Sequence, residues 1–426
     1  MNKIITAAGL VALGAASLQP ASAQGMGSTQ TTKPWSVSAT LRGFYDDNYT
    51  TSPKAVRRDS FGFEVAPSIG LNIFRDQTTI GLSYLYSMRY YEDRNEDTAD
   101  HSHQFNGKLS HAFTPRFKFD ISDSFVIAQE PAIIDPQLLT TFLRSDGDNV
   151  RNSVNANLSI GLTERLDTVI GYENAYYDYD QEGAGSRSAL LDRVEHFGKI
   201  DLRAELVPTT IGVLGYRFGL TDYNSDDPLN PVGAPISPDV RDATSHYGYV
   251  GVDQTINPQL TASVRGGVRY TEYDDAASII GLDDDDISPY VDANANWTYL
   301  PGSYAQLGVR HDRHTTDVGI IGASNPIVDA TGTTVYGSVN HRITAKLIAS
   351  LIGQWQHSEF EGDGSVADGL ADDYILAGVN LSYQINQFLA AETGYNYDRL
   401  DSELHQVGVG RSFTRNRVYV GIRASY

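Results

Sequence analysis

Residues 79–90 read TIGLSYLYSMRY. Ile80, Leu82, Tyr84, Tyr86, Met88 and Tyr90 are apolar or aromatic, whereas Thr79, Gly81, Ser83, Ser87 and Arg89 lie between them. Successive side chains of a strand leave opposite faces, so a period of two predicts a β-strand with one greasy and one wet face. Ordinary strands run to about five or six residues, and about ten tilted residues cross an outer membrane. This run is long enough to span a bilayer.

The pattern recurs along the chain. Val154, Ala156, Leu158, Ile160 and Leu162 alternate with Ser153, Asn155, Asn157, Ser159 and Gly161. Leu260, Ala262, Val264, Val268 and Tyr270 alternate with Thr261, Ser263, Arg265, Gly267 and Arg269, and Val291, Ala293, Ala295, Trp297 and Tyr299 with Asp292, Asn294, Asn296 and Thr298. No apolar set carries a formal charge, as a lipid-facing surface requires: an Arg or Lys there costs about 2–4 kcal/mol at the midplane. Tyr90, Tyr270, Tyr299, Trp355, Tyr383 and Tyr397 sit near the ends of these faces, where interfacial girdles belong. Strands that span a bilayer must close on themselves to leave no unpaired edge. The expected fold is all-β, a transmembrane antiparallel β-barrel.

Strands are expected over 35–46, 59–74, 77–92, 103–113, 116–127, 150–163, 166–179, 192–206 and 210–223. They continue over 243–256, 260–273, 287–300, 303–315, 332–343, 346–358, 373–385, 388–398 and 415–426. That makes about 18, with 16 the nearest alternative; an even count keeps both termini in the periplasm. Tight turns at Thr114-Pro115, Thr163-Glu164, Pro208-Thr209, Asn257-Pro258-Gln259, Pro301-Gly302 and Asn386 alternate with longer connections, which are assigned to the extracellular side. Leu404 to Phe413 could itself be a strand, and parity assigns it to the last loop.

The two ends fit export. Lys3, the apolar run Ile4 to Leu18 and Ala21-Ser22-Ala23 have the form of a secretory leader, giving a signal peptide over 1–23, a periplasmic segment over 24–34 and the barrel over 35–426. The final strand places Val418, Val420, Ile422, Ala424 and Tyr426 on one face, and its terminal aromatic resembles the signal read by the barrel-assembly machinery.

Asp59-Ser60-Phe61 precedes Pro67-Ser68-Ile69-Gly70-Leu71, and Tyr90-Tyr91 is followed by Asp93-Arg94 and His111-Ala112-Phe113-Thr114-Pro115-Arg116. Near the end, Gly394-Tyr395-Asn396-Tyr397-Asp398 and Asp401-Ser402 precede Arg415-Asn416-Arg417-Val418. In this order of elements the chain resembles the putative beta-barrel porin 2 group of outer-membrane proteins. The resemblance implies an outer-membrane barrel over most of the chain and supplies no substrate or catalytic residue.

A barrel of sixteen to eighteen strands leaves an aqueous channel, so the expected function is passive diffusion of small hydrophilic solutes. The pore lining is expected to include Arg42, Arg89, Arg217, Arg265, Arg269, Arg310, Asp292 and Glu392, with Arg265, Arg269 and Arg310 forming an anion-attracting patch. Lys346, Arg342 and Glu205 are assigned to the same face, where charges either screen solutes or brace neighbouring strands. The connection 128–149 is apolar through Ile133, Ile134, Leu138, Leu139, Phe142 and Leu143, and is expected either to fold inward and narrow the pore or to pack on a partner subunit.

Composition excludes other classes. Lys and Arg number 32 against 53 Asp and Glu, a formal net charge of −21, which argues against nucleic acid as a partner. Cysteine is absent, which removes thiol chemistry and Cys-ligated metals, and no cofactor is expected. Expected partners are outer-membrane lipid and lipopolysaccharide, the assembly machinery and the solutes, with a homo-oligomer left open. The ten His are scattered. His311 and His314 have a separation that sends them to opposite faces of a strand, and His101 and His103 share a face beside a loop. The alternatives are a structural or polysaccharide-secretion and adhesion barrel, marked by an occluded lumen, and more distantly a barrel hydrolase, marked by an outward His beside Ser or Asp.

Overall fold

The computed structural model describes residues 34–128, 148–231, 233–274, 279, 281–322 and 324–426. The leader and most of the 128–149 connection lie outside the described residues. The first strands are β1 (Trp35–Asp46), β2 (Ser60–Arg75), β3 (Thr78–Tyr91), β4 (Ala99–Thr114), β5 (Phe117–Ala128) and β6 (Asn149–Gly161). Next come β7 (Leu166–Tyr179), β8 (Arg193–Val207), β9 (Thr210–Tyr223), β10 (Ala243–Asn257), β11 (Leu260–Tyr273) and β12 (Asp285–Leu300). The circuit finishes with β13 (Ser303–His314), β14 (Asp329–Arg342), β15 (Leu347–Glu361), β16 (Ala371–Gln384), β17 (Leu389–Ser402) and β18 (Phe413–Ser425).

Every strand pairs antiparallel with its neighbours in sequence, and β1 pairs with β18, so one 18-stranded sheet closes into a barrel. Closure leaves no edge with unpaired backbone groups, which is what a hydrocarbon surround demands. Alternation sorts the two faces. Leu41, Val250, Leu307 and Val420 are exposed on the outer wall, whereas Arg42, Tyr249, Asp312 and Arg417 are buried on the inner one. In a soluble protein the greasy face would be hidden; here it is the outside.

Several strands extend further at the extracellular side than the alternation indicates. β4 begins at Ala99 where the pattern begins at 103, β14 at Asp329 against 332, and β17 continues to Ser402 against 398. The ladder continues there through polar pairs such as Asp329 with Glu361 and Glu272 with Asp285. Backbone pairing does not need lipid, so the strands outrun the apolar band and the loops are shorter than expected. Leu404 belongs to a connection, as parity requires: a 3₁₀ turn (Glu403–Val407) precedes β18. Lys346 lies in the turn before β15, and Arg342 and Glu205 stand exposed at the periplasmic ends of β14 and β8.

Candidate functional site

The inner wall is built from long charged side chains laid across strands. Arg203 on β8 and Arg265 on β11 both donate to Asp253 on β10, at 2.6 and 2.7 Å. Lys199 on β8 and Arg217 on β9 converge on Glu173 of β7, at 2.8 and 3.1 Å. Arg269 on β11 and Arg310 on β13 share Asp312, at 3.3 and 3.2 Å. Asp292 on β12 stands in register between Arg265 and Arg310. Across the seam where the barrel closes, Arg42 on β1 donates to Glu64 on β2 at 3.2 Å and to Glu392 on β17, while Arg89 on β3 donates to the other oxygen of Glu64 at 3.3 Å.

The eight expected pore residues therefore face inward in two groups. Arg217, Arg265, Arg269, Arg310 and Asp292 belong to the β9–β13 wall, and Arg42, Arg89 and Glu392 to the seam. Each of the six arginines among them is ion-paired. A buried charge without a partner would cost several kcal/mol, and pairing across strands offsets this while tying the wall together.

Glycines make the long reaches feasible. Tyr249 on β10 donates to Asp201 on β8 at 2.5 Å by lying over Gly215 of the intervening β9, where an added Cβ would meet the ring at 2.1 Å. Arg42 reaches Glu392 over Gly421 in the same way, with its Cγ 2.7 Å from the Cβ position.

The extracellular mouth holds features the strand pattern does not show. The connection 315–328, between β13 and β14, packs Val318 and Ile327 with Ala330, Phe360, Ala367 and Leu404. Arg241, fully buried before β10, donates to three backbone carbonyls: Thr316 at 2.7 Å, Leu190 at 2.9 Å and Val328 at 3.1 Å. On the other side Arg411, before β18, donates to Asp317 at 2.8 Å. A segment touching both the β7–β10 and the β17–β18 loops must cross the mouth. The described roof of the lumen is thus the β13–β14 connection, and the expected inward fold of 128–149 lies outside the described residues.

Beneath this roof is a cavity of about 70 Å³, several times the roughly 10–15 Å³ that one water needs. Its lining includes Arg217, Arg241, Arg269, Arg310 and Arg313 against Glu195, Asp312 and Asp329, an excess of cations in an acidic protein. Arg217 is stacked 3.8 Å from the Phe197 ring centroid, and both Arg217 and Arg269 approach Tyr247. The buried Nε groups of Arg217 and Arg269 find no acceptor among the described residues. Sequence reading located three of these arginines and missed Arg241 and Arg313, which sit at strand ends or in a loop where alternation carries no signal.

The histidines sort by face as parity requires. His311 turns outward to Thr333 at 2.8 Å, and His314 turns inward to Gln356 and buried Ser358, at 3.3 and 3.2 Å. On the outer wall His357 stands 3.2 Å from Asp373 and stacks beside Trp355. Among the described residues no serine hydroxyl hydrogen-bonds to that pair.

Solved structures similar to this chain are outer-membrane barrels. OpdK of Pseudomonas aeruginosa aligns at 12% identity and TM-score 0.44, covering 92% of this chain and 99% of its own. OccAB4 of Acinetobacter baumannii aligns at 14% identity and TM-score 0.42, with 94% and 100% covered. A mutant of the ferric enterobactin receptor PfeA from Pseudomonas aeruginosa aligns at 10% identity and TM-score 0.43, with 92% and 80% covered. No curated protein sequence matches. The family model described as putative beta-barrel porin 2 matches residues 35–426, from the first residue of β1 to the last of the chain. The chain is an outer-membrane β-barrel channel for small solutes and belongs to the putative beta-barrel porin 2 family.

Proposed function

We propose that small hydrophilic solutes cross this channel passively and that the β9–β13 wall favours anions. One observation carries the reading: two buried guanidinium N–H donors, Arg217 Nε and Arg269 Nε, line a cavity with more arginines than carboxylates and have no acceptor among the described residues. Buried donors need a partner, and a passing anion or its hydration water supplies one. The opposing carboxylates, Glu173 and Asp312, hold the arginines in place and keep the site from binding an anion too tightly to release it. The chain is exported by residues 1–23, leaves 24–34 in the periplasm, and is folded into the membrane through its last strand, whose Tyr426 ring lies 5.8 Å from Trp35. Nothing in this mechanism requires catalysis or a cofactor.

The test is the reversal potential of the purified channel in planar bilayers under a KCl gradient. Replacing Arg217 and Arg269 by Gln should lower the chloride-to-potassium permeability ratio by roughly two- to fivefold, since fixed charges in a low-dielectric lumen act on ions at short range. An unchanged ratio with intact conductance steps would remove the anion assignment and leave the pore.

A further inference from the structure

Asp123 is a carboxylate on the outer wall within the apolar band. It stands opposite Gly107 on β4 and Val154 on β6, both outward positions. At about 2.6 Å of axial rise per residue for a strand tilted near 40°, a group six residues above the periplasmic end of β5 lies roughly 16 Å up a band about 25 Å tall. Among the described residues, the outward carboxylates of other strands, such as Asp178, Asp222, Glu272 and Asp373, stand eleven or more residues up. An ionisable group at membrane depth calls for a functional account, and Asp123 faces away from the lumen.

The carboxylate sets the amide of Asn152. A carboxylate only accepts, so Asn152 on β6 turns its nitrogen to Asp123, and Nδ2 donates at 2.8 Å. One amide N–H and the amide oxygen are left without a partner among the described residues, nine residues up β6 and so at roughly 23 Å. Other outward amides are spent on their own barrel. Asn416 donates to Asp47 at 2.8 Å and accepts from Tyr395 OH at 2.6 Å, and Asn174 donates to the Glu195 carbonyl at 3.0 Å. Hydrocarbon offers neither donor nor acceptor. An amide with one unused donor and one unused acceptor is complementary to a copy of itself.

Its surroundings suit a protein contact. Phe125 and Tyr176 flank Asn152 in register, and Phe125 continues to Phe105 at 6.2 Å, giving the amide an aromatic rim. Beside Asp123, Gly107 leaves a notch where an added Cβ would meet only Leu82, at 3.7 Å. The same sector is lightly braced from within. Asn106, Ser122, Ser124, Ser153 and Asn155 line its inner face, joined by bonds such as Ser124 to Asn106 at 3.0 Å, where β7–β13 carry paired charges.

We propose that the β5–β7 face joins two copies of this chain about a two-fold axis along the membrane normal near Asn152. Each Asn152 Nδ2–H donates to the Oδ1 of the other copy, and the aromatic rims and Gly107 notches close around the pair. A second copy is the occupant because an isologous contact sets a residue near its axis against itself, and this amide carries both halves of the hydrogen bond. The face is separate from the lumen, so the contact stands whether or not the channel prefers anions.

Native mass spectrometry of the full protein in mild detergent tests the assembly, and the absence of cysteine permits a direct test of the contact. Wild type should appear at twice the chain mass. Asn152→Cys should form a disulfide between copies when oxidised in outer membranes, whereas Leu351→Cys, exposed on β15 nine strands away, should not. Asn152→Leu should weaken dimerisation by about three- to tenfold while single-channel conductance stays at the wild-type value, which certifies the fold. A wild-type monomer or trimer overturns the proposal, as does a cross-link from Asn152→Cys to a different protein or equal cross-linking at both positions. So does an Asn152→Leu variant that conducts normally and dimerises as tightly as wild type.

Discussion

A glycine decides whether an arginine or tyrosine can lie flat against the wall and reach the strand beyond its neighbour. Gly215 and Gly421 do this for Tyr249 and Arg42. Parity placed Arg42, Arg217, Arg265, Arg269 and Arg310 in the lumen, because a period of two admits only two faces. Their partners were not legible: Arg269 to Asp312 skips a strand, and that offset depends on barrel stagger, which no local pattern encodes. One loop carboxyl gives a test at this scale. Burial, with Asp222, Asp239 and Asp274 nearby, pushes Asp242 up to about 7, although it accepts a 2.7 Å hydrogen bond from the Tyr223 backbone N–H. The folded protein thus holds this proton above the pH at which the unfolded chain releases it, so ionising Asp242 costs stability progressively from about pH 4 to pH 7 and by a constant amount above. Asp242→Asn keeps the acceptor and removes the charge. Its melting temperature in detergent should match wild type near pH 4 and exceed it at pH 8, by about 1–2 kcal/mol in stability once partial exposure is discounted. Parallel pH profiles for the two proteins would refute the assignment.

Strands and loops differ in how openly the chain declares them. The membrane-spanning part of every strand was legible from alternation. The upper ends were not, because lipid no longer selects side chains there and only backbone pairing, as between Asp329 and Glu361, continues the ladder. The roof was invisible for a related reason. Val318 and Ile327 read as an unremarkable loop, and their burial depends on Phe360 and Leu404 arriving from two other connections. The apolar 128–149 connection, expected either to narrow the pore or to pack on a partner subunit, lies outside the described residues, and the loop contacts described at the mouth are those of 315–328. Arg241 is its fastener, and Arg241→Ala would strand the carbonyls of Thr316, Leu190 and Val328. Losing several charge-assisted bonds should cost on the order of 3 kcal/mol or more locally. Hydrogen exchange should then rise across 315–328 while the strands stay protected, and channel current should become noisier. Unaltered exchange in that segment would show that the apolar cluster holds the roof unaided.

Seen whole, the molecule inverts the plan of a soluble protein: apolar side chains such as Val250 and Leu307 cover the outside, and paired charges brace the inside. Strand number, closure and the even count were all readable, because every span obeys the same alternation and a bilayer leaves an open sheet no place to hide its edges. The acidic excess follows from the same plan, since the lumen arginines are balanced by carboxylates while acidic residues such as Asp226, Asp227, Asp283 and Asp363 lie outside the strands. The measurement that bears most directly on this plan is single-channel recording from purified protein in a planar bilayer. A water-filled lumen predicts discrete current steps of uniform size that scale with salt concentration. A bilayer that stays silent, with protein whose gel mobility shows the heat-sensitive compactness of a folded barrel, would contradict it.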